Sequence, residues 1–276
     1  MSEQDIRALA SLLEDSNSTL AEQAADTLVE VGEAALPFLQ ELADRRPSLS
    51  AALTKRIRAQ LLEEEWRSLT QQPDAEKAAL LLAHWLDPLL DPNEITNQLD
   101  VLAEPLQGAL PTARTKEGYR RDALLLREWL AGVKGFKGNM ENYYAPKNSL
   151  LPHVLENRRG IPLTLSMVYL FVARRLEAPL YPIGMPNHFI VRYGDAIHGI
   201  YLDPFNQGAL MTYHDCRRLS KRFGFAWQDA YLNPVSDHTV IERMLRNLIH
   251  AYTQQKNEQA ASQTVRYLKI WLGIKA

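Results

Sequence analysis

Residues 159–175, RGIPLTLSMVYLFVARR, contain the longest strongly apolar stretch of the chain and set the centre of the expected fold. Pro162 suits the first position of a helix, where no amide hydrogen is needed. Residues 163–173 are mostly apolar on every side, as expected for a helix that is buried all round. The two arginines that follow favour the C-terminal end of a helix. The stretch therefore predicts a central buried helix, and it is too short and too interrupted to span a bilayer.

Two strands are predicted after this helix. Residues 187–193, NHFIVRY, alternate in a two-residue period, and residues 198–203, HGIYLD, form the returning strand after a turn at Gly194-Asp195. Placing His188 opposite Asp203 closes a loop centred between positions 195 and 196. A register shift of two residues keeps both side chains on one face, whereas a shift of one residue separates them. The sequence thus allows His188 and Asp203 to converge without forcing it.

Helical patterns fill the chain on both sides of this segment. Residues 20–42 space apolar side chains at three and four residues, and Gly32 and Pro37 break the pattern into two helices. This piece resembles one HEAT-type repeat, although a generic helical bundle fits it equally well. Residues 237–272 predict two further helices that resemble a tetratricopeptide-type hairpin. Four parts are therefore expected: a helical segment at 1–70, a helical part of the core at 71–135, an α+β core at 136–232 and a helical hairpin at 233–276.

Composition narrows the class of protein. The net charge is −2 and no long basic block occurs, which argues against a nucleic-acid binder whose affinity rests on phosphate neutralisation. The single cysteine, Cys216, excludes an internal disulfide framework and a thiolate zinc cluster. The first residues carry acids and lack an uninterrupted apolar core, unlike a signal peptide. We expect a cytoplasmic protein with no cofactor, no metal and no membrane association.

The order of key residues resembles that of transglutaminase-like, papain-type proteins. Such sequences read Gly-x-Cys, an apolar helix ending near a proline, a histidine opening a strand, and Asp-Pro after the next strand. Here the matching positions are Gly160-Ile161-Pro162, Pro179, His188 and Asp203-Pro204. By this resemblance His188 is the general base and Asp203 orients it. The cysteine nucleophile does not carry over, because Pro162 stands in its place.

The stretch from Phe136 to Gly208, together with the start of the tail, also resembles the SirB family of bacterial proteins. The matching segments are Gly135–Asn139, Asn148–Leu151, Arg158–Leu165, Val172–Leu176, Pro186–Phe189, Asp203–Phe205 and Arg243–Leu248. Glu177 and Asn187 replace glycines that are usual in this family. The resemblance implies an α+β, mostly helical fold. Its transglutaminase-like core holds a small antiparallel sheet, and helical repeat-like segments flank that core.

Other side chains near this layout offer weaker candidates. Ser166 lies one turn beyond Pro162 on roughly the same helix face and is a possible nucleophile, or a buried serine bonded to a helix carbonyl. Cys216 is either a nucleophile from a neighbouring loop or an inert buried thiol. A metal site built from His188, His198, Asp203 and His214 lacks any zinc-like spacing.

Four residues are candidates for binding a ligand or partner. Arg158 and Arg159 precede the central helix and either hold an anion at its N-terminus or pair with local acids such as Glu156. Tyr144 lies in a glycine-rich loop, where it either forms a binding surface or fills the core. Tyr144 and the loop at Asn148 are also the expected plugs of the site if the cleft is closed.

Taken together, these features predict a catalytically degenerate transglutaminase-like protein that acts as a protein-binding scaffold or regulator. The missing nucleophile and the repeat-like helical ends, which commonly present peptide-binding surfaces, support this hypothesis. The alternative is an amide hydrolase or acyl-transferase that uses His188 and Asp203 with a non-standard nucleophile. The partner is an unknown protein or peptide.

Overall fold

The apolar residues at the N-terminus pack into a core of their own. In the computed structural model, which describes residues 1–15, 17–87, 90–110 and 115–274, the chain divides into two compact units, residues 1–68 and 69–276. The helices of the first unit are α1 Glu3–Leu12, α2 Ser18–Val31, α3 Leu36–Ala43 and most of α4 Pro47–Gln71. The predicted break falls where expected: Gly32 ends α2 with a φ of 74°, a conformation that glycine adopts at little cost. Leu28, Leu39 and Ile57 are among its fully buried side chains.

The second unit contains the remaining helices and all the strands of the described residues. Its helices are α5 Ala75–Leu86, α6 Pro92–Ala103, α7 Lys116–Arg127, α8 Leu151–Asn157, α9 Pro162–Arg175, α10 Tyr213–Arg222, α11 Asp237–Gln254 and α12 Glu258–Trp271. Its strands are β1 Lys137–Gly138, β2 Arg159–Gly160, β3 Leu180–Ile183, β4 Ile190–Tyr193, β5 Ile200–Asp203 and β6 Ala209–Met211. The predicted segments 71–135, 136–232 and 233–276 all lie within this one unit.

Helix α9 is the centre of the second unit, as predicted. Every residue from Pro162 to Ala173 is buried. The helix packs against α6, α8 and α11 and against strands β3 and β4. The α11–α12 hairpin docks on this core through α11, as expected for a hairpin that cannot bury its own apolar face. The fold is therefore mostly helical α+β with a small antiparallel sheet.

The sheet has the order β3-β4-β5-β6, and all its neighbouring pairs are antiparallel. In the observed register Val191 pairs with Leu202. This register is shifted by two residues from the one that would place His188 opposite Asp203. This is the shift that keeps both side chains on one face. A separate parallel pair, β1 with β2, was not predicted; it joins the glycine-rich loop to the residues just before α9.

The predicted start of the first strand was wrong. His188 does not open β4; it lies in the loop two residues before Ile190. The loop forms because Asn187 adopts a φ of 52° and the His188 N–H bonds to the Met185 carbonyl at 3.2 Å. The return strand also begins later than predicted, at Ile200, since the Asp195 carboxylate accepts two backbone N–H groups of its own turn.

Candidate active site

The first residue of α9 offers neither a thiol nor a backbone donor. Pro162 occupies the first helical position, and the N-cap residue, Ile161, makes no side-chain cap. A proline has no N–H, so this position cannot supply one of the backbone donors that stabilise an oxyanion. Both contributions that a cysteine makes at a helix N-terminus, a nucleophile and an amide hydrogen, are missing here.

His188 and Asp203 form a buried, well-ordered pair. The His188 Nε2 lies 2.8 Å from Asp203 Oδ2, and the two residues are 5% and 2% exposed. The same carboxylate accepts the N–H groups of Phe205 at 3.1 Å and Asn206 at 3.3 Å, and the Asn206 side-chain amide at 2.7 Å. Four donors therefore fix the Asp203 carboxylate, which in turn orients the imidazole.

Because Nε2 of His188 is engaged by Asp203, only the second ring nitrogen, Nδ1, remains for another partner. Within the described residues Nδ1 has no hydrogen-bond partner. The ring is instead flanked by two aromatic side chains, Phe205 at 6.2 Å and Phe223 at 6.1 Å between ring centroids. Phe205 can lie close to β1 because Gly138 has no Cβ, and one added there would lie 2.6 Å from the Phe205 ring. The imidazole is thus closely packed as well as hydrogen-bonded.

Arg243 of α11 holds the loop that carries His188. Its guanidinium donates to the Met185 carbonyl at 3.0 Å and to the His188 carbonyl at 2.8 Å, and it lies 5.1 Å from the centre of the Phe189 ring. Burial lowers the pKa of Arg243, although a guanidinium stays charged at neutral pH. Sequence reasoning matched Arg243 to a family segment but gave it no role, because its contacts lie 55 and 58 residues away along the chain.

A run of neighbouring rings crosses the surface beside this pair. In order they are His250, Tyr144, Tyr143, Phe205, His188 and Phe223, and each ring centroid lies within 6.2 Å of the next. We refer to these six residues as the aromatic band. Tyr144 is 54% exposed, Phe223 38% and Tyr143 36%, whereas His188 beneath them is nearly covered. Phe205 and Phe223 are the rings next to His188 in the band, whereas Tyr144 is separated from it by Tyr143 and Phe205.

The weaker nucleophile candidates are enclosed in the core. Ser166 is fully buried and its hydroxyl donates to the Phe189 carbonyl at 3.4 Å, not to a carbonyl of its own helix. Cys216 is also fully buried. Burial, together with the carboxylates of Asp215 and Asp203, raises the pKa of the Cys216 thiol to about 12. Neither group is presented as an activated nucleophile at neutral pH.

The predicted binding residues mostly shape the glycine-rich loop. Asn148 is fully buried, donates to the carbonyls of Asn142 and Tyr143, and accepts from the Asn139 side chain. Arg158 adopts a φ of 59° and lies over the Phe136 ring at 4.7 Å.

Arg159 completes this set by donating to the Gly135 carbonyl at 3.4 Å. In the described part of the chain neither Arg158 nor Arg159 forms an ion pair, with Glu156 or with any other acid. Both arginines therefore tie the residues before α9 to the loop that precedes β1.

The histidines and acids do not gather into a metal centre among the residues described. No group of three or more histidine, cysteine or acidic side chains is close enough to hold an ion there. His198 lies against Asp195, with Nδ1 3.5 Å from its carboxylate, and His214 packs on Tyr213. Nor does any helix in those residues combine the length and apolar character that a membrane span requires.

Comparison with known proteins agrees with this architecture. A family described as the transglutaminase-like superfamily, Transglut_core2, matches residues 93–246. A UPF0162 protein of Xylella fastidiosa (strain 9a5c) is 31% identical over 222 residues, which are 76% of this chain and 78% of that protein. The UPF0162 protein of Pseudomonas aeruginosa is 35% identical over 184 residues, 65% of this chain and 66% of that protein.

A shorter similarity extends to a mammalian protein. F-box only protein 21 of Mus musculus is 36% identical over 122 residues, which are 41% of this chain but 19% of that protein. No solved structure gives a significant match. The family match covers more than half of the chain, and the two UPF0162 relatives described above align over most of their own length. This chain therefore belongs to the transglutaminase-like superfamily and is a UPF0162 family member.

Proposed function

We propose that this protein is a catalytically degenerate transglutaminase-like protein that acts as a protein-binding scaffold or regulator. One observation carries the proposal: Pro162 stands at the head of α9, while the His188–Asp203 pair is intact and packed beneath Phe205 and Phe223. A site that has lost its nucleophile but kept its framework is suited to binding rather than to acyl transfer.

The aromatic band is the surface that we assign to the partner. Exposed tyrosine and phenylalanine side chains are enriched where proteins recognise peptides, because they offer large contact areas at low conformational cost. Tyr143 and Tyr144 lie on a loop that Asn148 holds in shape, so the surface is formed in advance of binding. The helical unit at residues 1–68 would provide a second surface for the same or another partner.

A second candidate function is an amide hydrolase or acyl-transferase with a non-standard nucleophile, such as an activated water. The hydrogen bonding of His188 favours this enzymatic candidate. Asp203 engages Nε2, and Nδ1, the ring nitrogen that a general base would then use, has no hydrogen-bond partner in the described residues. Against it stand the 5% exposure of His188 and the missing donor at Pro162.

Turnover measurements distinguish the two candidates. The wild type is compared with His188→Ala, Ser166→Ala and Cys216→Ser on a panel of amides and esters that includes glutamine-donor and acceptor peptides. The proposal expects no turnover above blank in any of the four folded proteins. Activity that disappears with His188→Ala would establish the enzyme instead, and the other two variants would show whether a side chain serves as its nucleophile.

A cross-linking experiment tests the binding surface directly. A benzophenone amino acid at Tyr144 should capture a defined partner in bacterial cells, while the same group at Val101, a 60% exposed position on α6, should not. Capture that persists after Tyr143→Ala and Phe223→Ala would show that the aromatic band does not form the binding surface. Equal capture from Tyr144 and from Val101 would also show that the aromatic band does not form the binding surface.

A further inference from the structure

A second concave site lies at the other end of the β3–β4 pair from His188. It is a cavity of about 440 Å³, within the range of small-molecule sites. The side chains that define its chemistry are Tyr119, Asp122, Glu177, Tyr181, Tyr193 and Asp195. The four residues of β4, about 10 Å of strand at ~3.3 Å per residue, lie between this cavity and the loop of His188. The cavity is therefore separate from the transglutaminase-like site.

Tyrosines form the walls of the cavity. The rings of Tyr119 and Tyr193 meet edge to face at 6.2 Å. Gly194 allows this packing, because a Cβ there would lie 2.4 Å from the Tyr119 ring. Tyr119 is 5% exposed, yet its hydroxyl has no hydrogen-bond partner among the described residues. The hydroxyl itself is not enclosed in the core. An accessible hydroxyl without a protein partner at the wall of a cavity is a group to which a ligand can hydrogen-bond.

Three carboxylates surround these tyrosines and have unused bonding capacity. Asp122 is 1% exposed; Arg121 binds its Oδ1, while its Oδ2 has only the Tyr193 hydroxyl at 3.5 Å, a long contact. The Glu177 side chain forms no hydrogen bond or ion pair within the described residues; only its backbone N–H bonds, to the Arg174 carbonyl at 3.1 Å. Asp195 uses Oδ1 to cap its own turn, and its Oδ2 lies 3.5 Å from His198.

The described residues around the cavity include more acidic than basic side chains. Within that part of the chain, none of the residues that line it is a lysine or arginine. Two arginines lie behind the lining: Arg121 on Asp122, and Arg192, which stacks over Tyr181 at 5.3 Å and donates to the Gly194 carbonyl at 3.3 Å. Three carboxylates against two guanidinium groups leave an excess of negative charge. These acidic side chains favour a cationic ligand over a neutral or anionic one.

We propose that this cavity binds a linear polyamine, whose ammonium groups are separated by methylene segments. Each ammonium group would lie by one carboxylate, and the tyrosine faces would pack on the methylenes and attract the cations. A single metal ion does not fit, because these acids do not form a metal-binding group in the described residues. An extended cation can reach carboxylates that lie apart, whereas a point charge cannot.

The position of Glu177 agrees with a role in binding. It follows the C-terminus of α9 with a φ of 51°, a left-handed conformation in which glycine is favoured. A carboxylate at a helix C-terminus is also unfavourable for the helix dipole. Glu177 is therefore locally destabilising on two counts, and binding a cation in the cavity would account for its presence.

Titration calorimetry of the full chain with spermidine and putrescine at low salt tests the proposal. We expect saturable 1:1 binding of spermidine that weakens at least tenfold in Glu177→Gln and in Asp122→Asn. The matched control is Glu258→Gln, which removes an exposed carboxylate on α12 and should bind spermidine as the wild type does. The neutral chain 1,6-hexanediol should not bind.

A further variant separates folding from binding. Glu177→Gly should raise the melting temperature while weakening spermidine binding as much as Glu177→Gln does. The proposal is overturned if spermidine does not bind the folded wild type, or if Glu258→Gln weakens binding as strongly as the cavity variants. Displacement of spermidine by equimolar Mg²⁺ would likewise indicate diffuse charge attraction only. Binding of a lysine-containing peptide without binding of spermidine would assign the cavity to a protein partner instead.

Discussion

Replacing Arg243 by methionine removes the side chain that ties α11 to the loop of His188. The change deletes two hydrogen bonds from a charged donor, at 3.0 and 2.8 Å, and each such bond contributes about 1.5–3 kcal/mol. It also leaves the carbonyls of Met185 and His188 with fewer partners in residues that are 0% and 5% exposed. Because methionine keeps most of the packing over Phe189, we expect a loss of about 3–5 kcal/mol in the free energy of unfolding of the second unit.

Urea unfolding followed by tryptophan fluorescence measures this loss, since four of the five tryptophans lie at or beyond position 85. Hydrogen exchange of the amides at 185–190 gives a local readout, and it should be faster in Arg243→Met than in the wild type. Arg246→Met is the matched control on the same helix. Its partner Glu242 lies at 2.8 Å and its own side chain is 56% exposed, so the change should cost about 0.5 kcal/mol or less. Equal stabilities for the two variants, within that margin, would refute the role given to Arg243.

Three further predictions concern single side chains. Pro162→Cys should create a thiol that reacts with iodoacetamide at near-neutral pH faster than free cysteine, because the helix N-terminus favours thiolate; a rate no greater than that of free cysteine would contradict this, and adding His188→Ala should slow the reaction if the imidazole reaches the thiol. Native Cys216 should resist the same reagent at pH 8, where a pKa of about 12 leaves roughly one thiolate in ten thousand, and should react only after unfolding in urea; rapid labelling of the folded protein would refute its burial. Asp122→Asn should stabilise the protein at pH 7, since burial raises the pKa of Asp122 above its usual 3.8. The wild type loses stability as the pH rises from 3.8 through the raised pKa, because Asp122 then ionises in a buried site. The variant keeps this stability, so its advantage over the wild type should vanish below pH 3.8. An advantage independent of pH would show that ionisation of Asp122 is not the cause.

The central helix and the family were predictable because their signals are local. Residues 163–173 are apolar on every side, which only a fully buried helix explains, and Pro162 has a defined place at a helix start. The convergence of His188 and Asp203 was left open, because a register shift of one residue would have placed the two side chains on opposite faces. The start of β4 was missed, since the turn at Asn187 depends on a left-handed conformation that glycine would have signalled more clearly.

The contacts that complete the site were not predictable in the same way. Arg243 reaches His188 across 55 residues, and no periodic pattern records such a pairing. Phe205 covers the imidazole because Gly138 on a distant strand leaves room for its ring. Tyr119 and Glu177 come together only after α7 and the end of α9 pack beside the sheet. These features depend on tertiary packing, which alternation and helical spacing do not encode.

The four donors on Asp203 have a consequence for how such sites change over time. Two of them are the backbone amides of its own turn, so the carboxylate is needed to fold this corner whether or not any reaction takes place. Under the proposed function, loss of the thiol would therefore relax no constraint on Asp203, and His188, as its buried partner, would be retained with it. A histidine–aspartate pair of good geometry would in this way outlast its reaction, and a search that recognises hydrolases by that pair alone would include proteins without a nucleophile.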